Sequence, residues 1–482
     1  MSADERTNAR YHTREECDSP VQSGSAHHHN NYFTILPRVS SLPLTTLSIM
    51  SPFIKLAQRA LPRDSTIMER KWIKLNKAPQ TETPAEPTPL VAVIGVGFVG
   101  TGLVDSFSAK YDILGFDISE ERVKDLRVEF EARPNVSFTS TESDLKLATH
   151  FLISVPTLLL SDKSINLSYL KSALDKVNRW ARPGSTIVIE SSVAIGMTRE
   201  LLGPIAKSRR LFAGMSPERI DPGRTEPPMR TIPKVVSGLD DVVPGSLDAI
   251  VRLYGRVFDT IVPVSKPEVA EMTKLYENCQ RMMCIAYVNE MADACIGLGI
   301  DPYEVCDAAA TKPFGYLPFQ PSLGVGGHCI PVNPYYLLSN GDYPLLRAAA
   351  ETMNERPAEI ARRIIDGFFG SDKGGRRDSG FEIRKRVLVV GMGFKAGQSH
   401  LVNSPGLQLA RELNKFELDV AFADSLVSQS AVPEITRLAD EDWTKEKLEE
   451  FDLIVVSFKQ TGMDFGLLEE LSEDVSVQMF CQ

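Results

Sequence analysis

The stretch VAVIGVGFVGTGL, residues 91–103, decides the fold. The apolar run Leu90–Ile94 reads as a short buried parallel strand. Gly95, Gly97 and Gly100 follow in the spacing G-x-G-x-x-G, and a helix-like stretch comes after them. The first glycine lets the strand turn tightly, the second lets backbone approach a pyrophosphate, and the third lets the helix pack close to the sheet. The anion then sits on the helix N-terminus. A second strand ends at Asp117, seventeen residues after Gly100. A carboxylate there accepts hydrogen bonds from both ribose hydroxyls and repels a 2′-phosphate, so the bound cofactor reads as NAD rather than NADP. The motif alone is weak, and its strand-turn-helix context is what argues against an ordinary glycine turn.

Working outward, further strands are expected at Asp112–Phe116, His150–Val155, Ser185–Glu190 and Lys234–Ser237, with helical patterns after Glu120 and from Ser168 to Trp180. Such alternation predicts an open α/β sheet. From Pro267 to about Gly297 no internal proline or glycine occurs, and Val269, Met272, Leu275, Met282, Ile285, Val288 and Met291 recur at helical spacing. This predicts one long helix of roughly 45 Å, able to link domains and offer a dimer face. A Gly/Pro-rich stretch runs from Lys312 to Tyr336, and residues 370–380 read as an exposed linker. A second α/β unit is expected from Arg386–Val390, the turn Gly391 and Gly393, the strand Asp419–Ala423 ending before Asp424, and the strand Phe451–Ser457. Gly391 and Gly393 form half a dinucleotide motif, so that unit has either a plain turn or a site for a nucleotide other than NAD. The expected architecture is α/β. It has two Rossmann-like, doubly wound domains joined by a long central helix, preceded by a disordered extension. Its divisions are 1–89, extension; 90–266, NAD-binding domain; 267–372, central long helix and the helical region after it; 373–482, C-terminal Rossmann-like domain.

The extension carries a histidine cluster (His27, His28, His29), serine-rich stretches and a Pro/Thr-rich run, without sustained periodicity. It lacks the apolar core of a secretory signal, and Met50 is an alternative start. The histidines read as a solvated tail in preference to a metal site, and no metal is expected. A chain of 482 residues allows two or three domains, and its apolar share of 43% against 24% charged suits a globular protein. No apolar run reaches the roughly 18 residues needed to span a bilayer. The net charge of −10 argues against nucleic-acid binding. Seven cysteines at irregular spacing, with no CxxC pair, suggest neither zinc nor a disulfide framework. Free thiols fit a reducing compartment, so a cytoplasmic location is expected.

Three segments carry chemistry. Cys329 lies in GVGGHCIPVNPYYL among Gly324, Gly326 and Gly327; it is either a buried structural thiol or a thiolate that attacks an aldehyde. On the long helix, EMTKLYENC places Glu271, Lys274 and Asn278 at i, i+3 and i+7. An ammonium and an amide together stabilise a developing alkoxide; the alternative is a solvated helix face. Glu218, in SPERIDPG, is a carboxylate before a turn.

Together these segments resemble the UDP-glucose/GDP-mannose dehydrogenase family of nucleotide-sugar 6-dehydrogenases, from about residue 90 to 475. The resemblance rests on VAVIGVGFVG, SVPT (Ser154–Thr157), IESSVAIGMTRE, MSPERIDPG, EMTKLYEN, TKPFGYLPF, GVGGHCIPV, and GMGFKAG followed by NSPGLQLA. Histidine before the cysteine and PYYL after it resemble the UDP-N-acetylhexosamine branch. The resemblance implies four-electron oxidation of a sugar C6 alcohol to carboxylate, with two NAD consumed. Cys329 would hold the intermediate aldehyde as a thiohemiacetal and then as a thioester. Lys274 would stabilise or deprotonate the C6 oxygen, Asn278 would donate to the oxyanion, and Glu218 and Thr157 would handle the hydrolytic water. Cofactor contacts would come from Gly95, Gly97, Phe98, Val99, Gly100, Asp117, Pro156, Thr157, Glu190 and Ser192. Lys395, Phe319, Gly324 and the 313–324 loop would hold a UDP-sugar, beside Glu218, Lys274 and Asn278. A homodimer through the long helix is implied.

Two positions depart from the family pattern. Asn333 stands four residues after the cysteine, where the family has an aspartate, and asparagine cannot act as a base. His400 and Val402 replace the acid and arginine of the family's D-x-R-x-SP segment, removing a planar charged fork. The chain also ends in VQMFCQ where the family has a strand closing on Asp-x-Arg. Two other readings therefore accompany the active nucleotide-sugar dehydrogenase: a nucleotide-sugar-binding relative with little catalysis, and a two-electron β-hydroxyacid dehydrogenase.

Overall fold

The computed structural model describes residues 73–74, 89–221, 223–224, 226–369, 385–416 and 418–482. The histidine cluster, Met50 and the 370–380 linker lie outside the described residues. The first sheet contains β1 (Ile73–Lys74), β2 (Leu90–Ile94), β3 (Asp112–Phe116), β4 (Val136–Thr139) and β5 (His150–Ile153). After the hairpin β6 (Leu158–Leu159) and β7 (Ile165–Asn166), it continues with β8 (Thr186–Ile189), β9 (Phe212–Met215), β10 (Lys234–Gly238) and β11 (Thr260–Pro263). The spatial order is β1-β11-β10-β9-β8-β5-β2-β3-β4. Its run β4-β3-β2-β5-β8-β9 is parallel throughout and has the 3-2-1-4-5-6 order of dinucleotide-binding folds. β10 is antiparallel to β9, and β1 is antiparallel to β11.

β2 is apolar along its length because both faces of the sheet are covered. Ala92 and Ile94 pack with Leu170, Leu174 and Leu202 on one side. Val91 and Val93 pack with Leu103, Phe107 and Leu253 on the other. The strand expected to reach Val155 leaves the ladder after Ile153, because the Ser154 hydroxyl donates to the Gly95 carbonyl at 2.8 Å. β4, β9 and β11 were not anticipated: β4 and β9 interrupt their apolar residues with serine or glycine, and β11 ends on Pro263.

The central helix runs Pro267–Gly297, with proline in its first turn, and the chain turns away at Gly299 in a left-handed conformation. A second long helix, Pro344–Phe369, packs along it, held by Arg356 and Arg363 on Asp293. The second sheet contains β12 (Arg386–Val390), β13 (Asp419–Ala423), β14 (Thr436–Arg437), β15 (Leu453–Val456) and β16 (Ser476–Met479), all parallel in the order β14-β13-β12-β15-β16. No helix among the described residues is long and apolar enough to cross a membrane.

Candidate active site

The glycine loop is built to leave one position open. Gly95 has φ +86°, and a β-carbon there would lie 2.9 Å from the Ser154 carbonyl oxygen. At Gly100 a β-carbon would lie 2.0 Å from the Gly95 carbonyl oxygen, so the helix Phe98–Ser108 sits against the turn. At Gly97 it would meet nothing within 4 Å. Gly97, Phe98 and Pro156 are exposed, with Val99, Thr157 and Ser192 half-buried. The helix has no side-chain cap, so its first N–H groups face this opening. The Asp117 carboxylate accepts from the Val96 and Ser119 N–H groups, at 3.0 Å each, and stands half-buried at the end of β3. An open cradle of unpaired N–H groups with an anchored carboxylate at its rim fits NAD.

The second unit repeats this plan and closes it. Gly391 also has φ +86°, and a β-carbon on Gly406 would lie 2.2 Å from its carbonyl oxygen. Gly393, however, is covered by the Gln398 carbonyl oxygen, 2.2 Å from where a β-carbon would be. Asp424, 1% exposed, accepts from the Met392 and Gly393 N–H groups and from Gln460. Loop and carboxylate are both occupied by the protein's own chain, which leaves no dinucleotide cradle of the first kind.

The chemistry-bearing residues converge from three segments. Lys274 and Asn278 are buried, which removes the solvated-face alternative. Asn278 donates to the Asn333 side-chain oxygen at 2.5 Å. Asn333 is itself buried, and its N–H reaches the Cys329 carbonyl at 2.9 Å, closing the turn that carries the half-buried Cys329. Tyr336 ties this turn to the first domain: its hydroxyl donates to the Thr157 carbonyl at 2.6 Å. Burial pushes that hydroxyl up to about 12, with the Cys329 sulfur contributing. The Thr157 hydroxyl in turn donates to the Ser192 carbonyl at 2.8 Å. Tyr336 was missed as a functional residue; the PYYL segment was its signal. The cysteines of the helices differ from Cys329: burial pushes the Cys279 thiol up to about 12 and raises that of Cys284.

Glu271 does not join Lys274 and Asn278. Its carboxylate is buried and accepts from the Gly196 and Thr198 N–H groups, at 2.6 and 2.8 Å, at the start of the helix Met197–Arg209. Glu190, expected beside the cofactor, directs a fully buried carboxylate to Lys234 and Tyr254. Lys234 also binds Glu218, whose other oxygen accepts from the Arg219 and Ile220 N–H groups. Burial raises the Glu218 carboxyl, but the Lys234 ammonium, the Arg219 N–H and the Lys274 charge together hold it below the ordinary range. Lys234 and Tyr254 carried no motif signal.

The Cys329 turn leans on the second α/β unit. The Gly327 N–H donates to the Val402 carbonyl at 2.9 Å, and the Asn403 amide donates back to the Gly327 carbonyl at 2.9 Å. Gly326 and Gly327 lie against Phe394, where a β-carbon would come to 2.8 and 3.0 Å. His328 stacks edge-on to His400 at 6.3 Å; burial and that neighbour both lower its affinity for a proton. Lys395 stands 3.6 Å from Asp221 in the SPERIDPG loop. Gly324 packs against Pro405 and Pro357, and Phe319 is half-buried in its loop.

Residues 90–257 match the NAD binding domain of the UDP-glucose/GDP-mannose dehydrogenase family, and residues 268–356 match its central domain. The chain is 34% identical over 358 residues to Protein CapL of Staphylococcus aureus, covering 69% of this chain and 81% of that protein. It is 32% identical over 376 residues to a UDP-N-acetyl-D-glucosamine 6-dehydrogenase of Pseudomonas aeruginosa, covering 70% and 83%. The fold superimposes on the UDP-D-ManNAc dehydrogenase structure from Pyrococcus horikoshii with a TM-score of 0.70 at 24% identity, covering 81% of this chain and 99% of that one.

Proposed function

Because the chain belongs to the UDP-glucose/GDP-mannose dehydrogenase family of NAD-dependent enzymes, we propose that it oxidises the C6 alcohol of a UDP-N-acetylhexosamine to the carboxylate through Cys329. The observation that carries this reading is the junction of the Cys329 turn with the helix of Lys274, made by Asn333 on Asn278. His328 before the cysteine and the similarity to the N-acetylglucosamine enzyme support the sugar class.

NAD supplies the hydride acceptor for both oxidations, two equivalents per sugar. Lys274 stabilises or deprotonates the C6 oxygen, and the Asn278 amide donates to it as charge develops and the first hydride leaves C6 to give the aldehyde. The Cys329 sulfur then adds to the aldehyde carbon, giving a thiohemiacetal that keeps the aldehyde from escaping. Loss of a second hydride from that carbon leaves a thioester. Water, held by Thr157 and Glu218, attacks it; the carbon–sulfur bond breaks, and the carboxylate leaves with the thiol restored. Lys395 and Phe319 hold the nucleotide sugar, and two copies pair through the central helix.

The test is a screen of UDP- and GDP-sugars for NADH formation by the purified protein. Two NADH per sugar are expected, and Cys329→Ser should stall after the first oxidation or earlier. One NADH per sugar with a released aldehyde overturns the proposal. Asn333 and Val402 favour a second reading, a nucleotide-sugar-binding relative with little catalysis; an inactive wild type that gains activity on Asn333→Asp selects it.

A further inference from the structure

We propose that Lys234 is a positioning residue for this reaction: its buried ammonium, shared by Glu190 and Glu218, fixes the Glu218 carboxylate that handles the hydrolytic water. The inference rests on the dehydrogenase reading above and adds residues that no motif marks.

The geometry is that of a built cluster. The Lys234 ammonium lies 2.6 Å from one Glu218 oxygen and 2.7 Å from one Glu190 oxygen, with side-chain exposures of 3%, 8% and 0% for Lys234, Glu218 and Glu190. Its remaining face looks on the rings of Phe258, at 5.4 Å, and Tyr254, at 6.0 Å. Every charged group around it comes from a different element. Glu190 follows β8, Glu218 follows β9, Lys234 begins β10, and Tyr254 closes the helix Ser246–Tyr254. The Tyr254 hydroxyl takes the second Glu190 oxygen.

This arrangement gives the two carboxylates different fates. Glu218 accepts from one ammonium and two backbone N–H groups. Glu190 shares the same ammonium and gets no backbone donor in this cluster. Burial pushes the Glu190 carboxyl up to about 7 despite Lys234, while Glu218 stays below the ordinary carboxylate range. The Lys234 ammonium thus stands against one firmly ionised carboxylate and one that titrates near neutrality. Of the groups that hold Glu218 ionised, the Lys234 ammonium is the strongest. The ionisation and direction of Glu218 therefore depend on Lys234.

A buried ion cluster can be replaced by neutral groups at little cost to stability, so the test removes the cation together with one of its carboxylates. Lys234→Met with Glu190→Gln, made in the full-length protein, is expected to melt within a few degrees of wild type and keep its KM. Its kcat should fall about 100-fold, the scale of a misplaced reacting group, and the acid limb of its kcat–pH profile should move up. Glu190→Gln alone should move that limb down, because Lys234 then serves Glu218 alone. Limbs unmoved in both variants overturn the proposal. A wild type that forms no NADH from any nucleotide sugar is a failure of the dehydrogenase reading instead. Infrared difference spectra against Glu218→Gln then read the cluster without turnover. At pH 6 the Glu218 band should be that of an ionised carboxylate in wild type and of a protonated carboxyl in the double variant; an ionised band in both overturns the proposal.

Discussion

Adding one methyl group to Gly100 would place a carbon 2.0 Å from the Gly95 carbonyl oxygen, while the same methyl on Gly97 would meet open space. The two glycines thus serve different ends. Gly100→Ala should destabilise the fold by about 1–3 kcal/mol, the usual scale of overpacking, seen as a lowered melting temperature even without cofactor. Gly97→Ala should melt as wild type does and lose NAD affinity in titration calorimetry, because its methyl occupies the ligand's space. Equal effects of the two changes on the cofactor-free melt would contradict this division. The spacing of these glycines was legible because backbone geometry demands glycine there. The closure of the second loop was not, since it depends on where the Gln398 carbonyl comes to rest. Lys234 was illegible for a related reason. Its partners lie 44 and 16 residues away, and only the folded sheet brings them together.

At the scale of elements, the central helix was readable from its apolar period and its lack of interior proline and glycine. Its partner Pro344–Phe369 was not anticipated, and it carries Pro357 within it. The joint between them centres on Asp293, which accepts from Arg356 at 2.8 and 3.0 Å and pairs with Arg363 at 3.0 Å. Arg356 is 7% exposed, so removing its partner strands a buried cation. Asp293→Asn should cost about 2–3 kcal/mol at neutral pH, the scale of a charged hydrogen bond left unmade. The sign of the pH dependence follows from the carboxyl itself. Burial raises it, but the two arginines more than offset that and hold it below the ordinary carboxylate range. Its stabilisation is therefore full above the unfolded value and is lost as pH falls through the lower folded one. Chemical denaturation of both proteins from pH 7 down to pH 3 should show the gap narrowing; a constant gap would mean the pair contributes through packing alone.

For the whole molecule, the outer face of the central helix poses the remaining question. Tyr276, Tyr287, Met291 and Leu298 are exposed by 65, 63, 39 and 75%, and they follow one another at helical spacing. Gln280 and Ala294 lie on the same exposed stripe, with Met283 half-buried beside it. Beyond the end of the helix, Ile300 and Val305 add exposed apolar surface. A stripe this rich in exposed apolar side chains is costly to leave in water and marks an association surface. Under the proposed pairing a second copy of the same helix, antiparallel to the first, would cover it with matching side chains, because a twofold axis makes the patch self-complementary. Light scattering on the full-length protein should therefore give twice the 53.3 kDa chain mass. Tyr287→Glu with Met291→Glu places charges at the middle of the stripe, and this variant should run at the chain mass with its secondary structure unchanged. A wild type that is monomeric at micromolar concentration would leave the stripe to a different occupant.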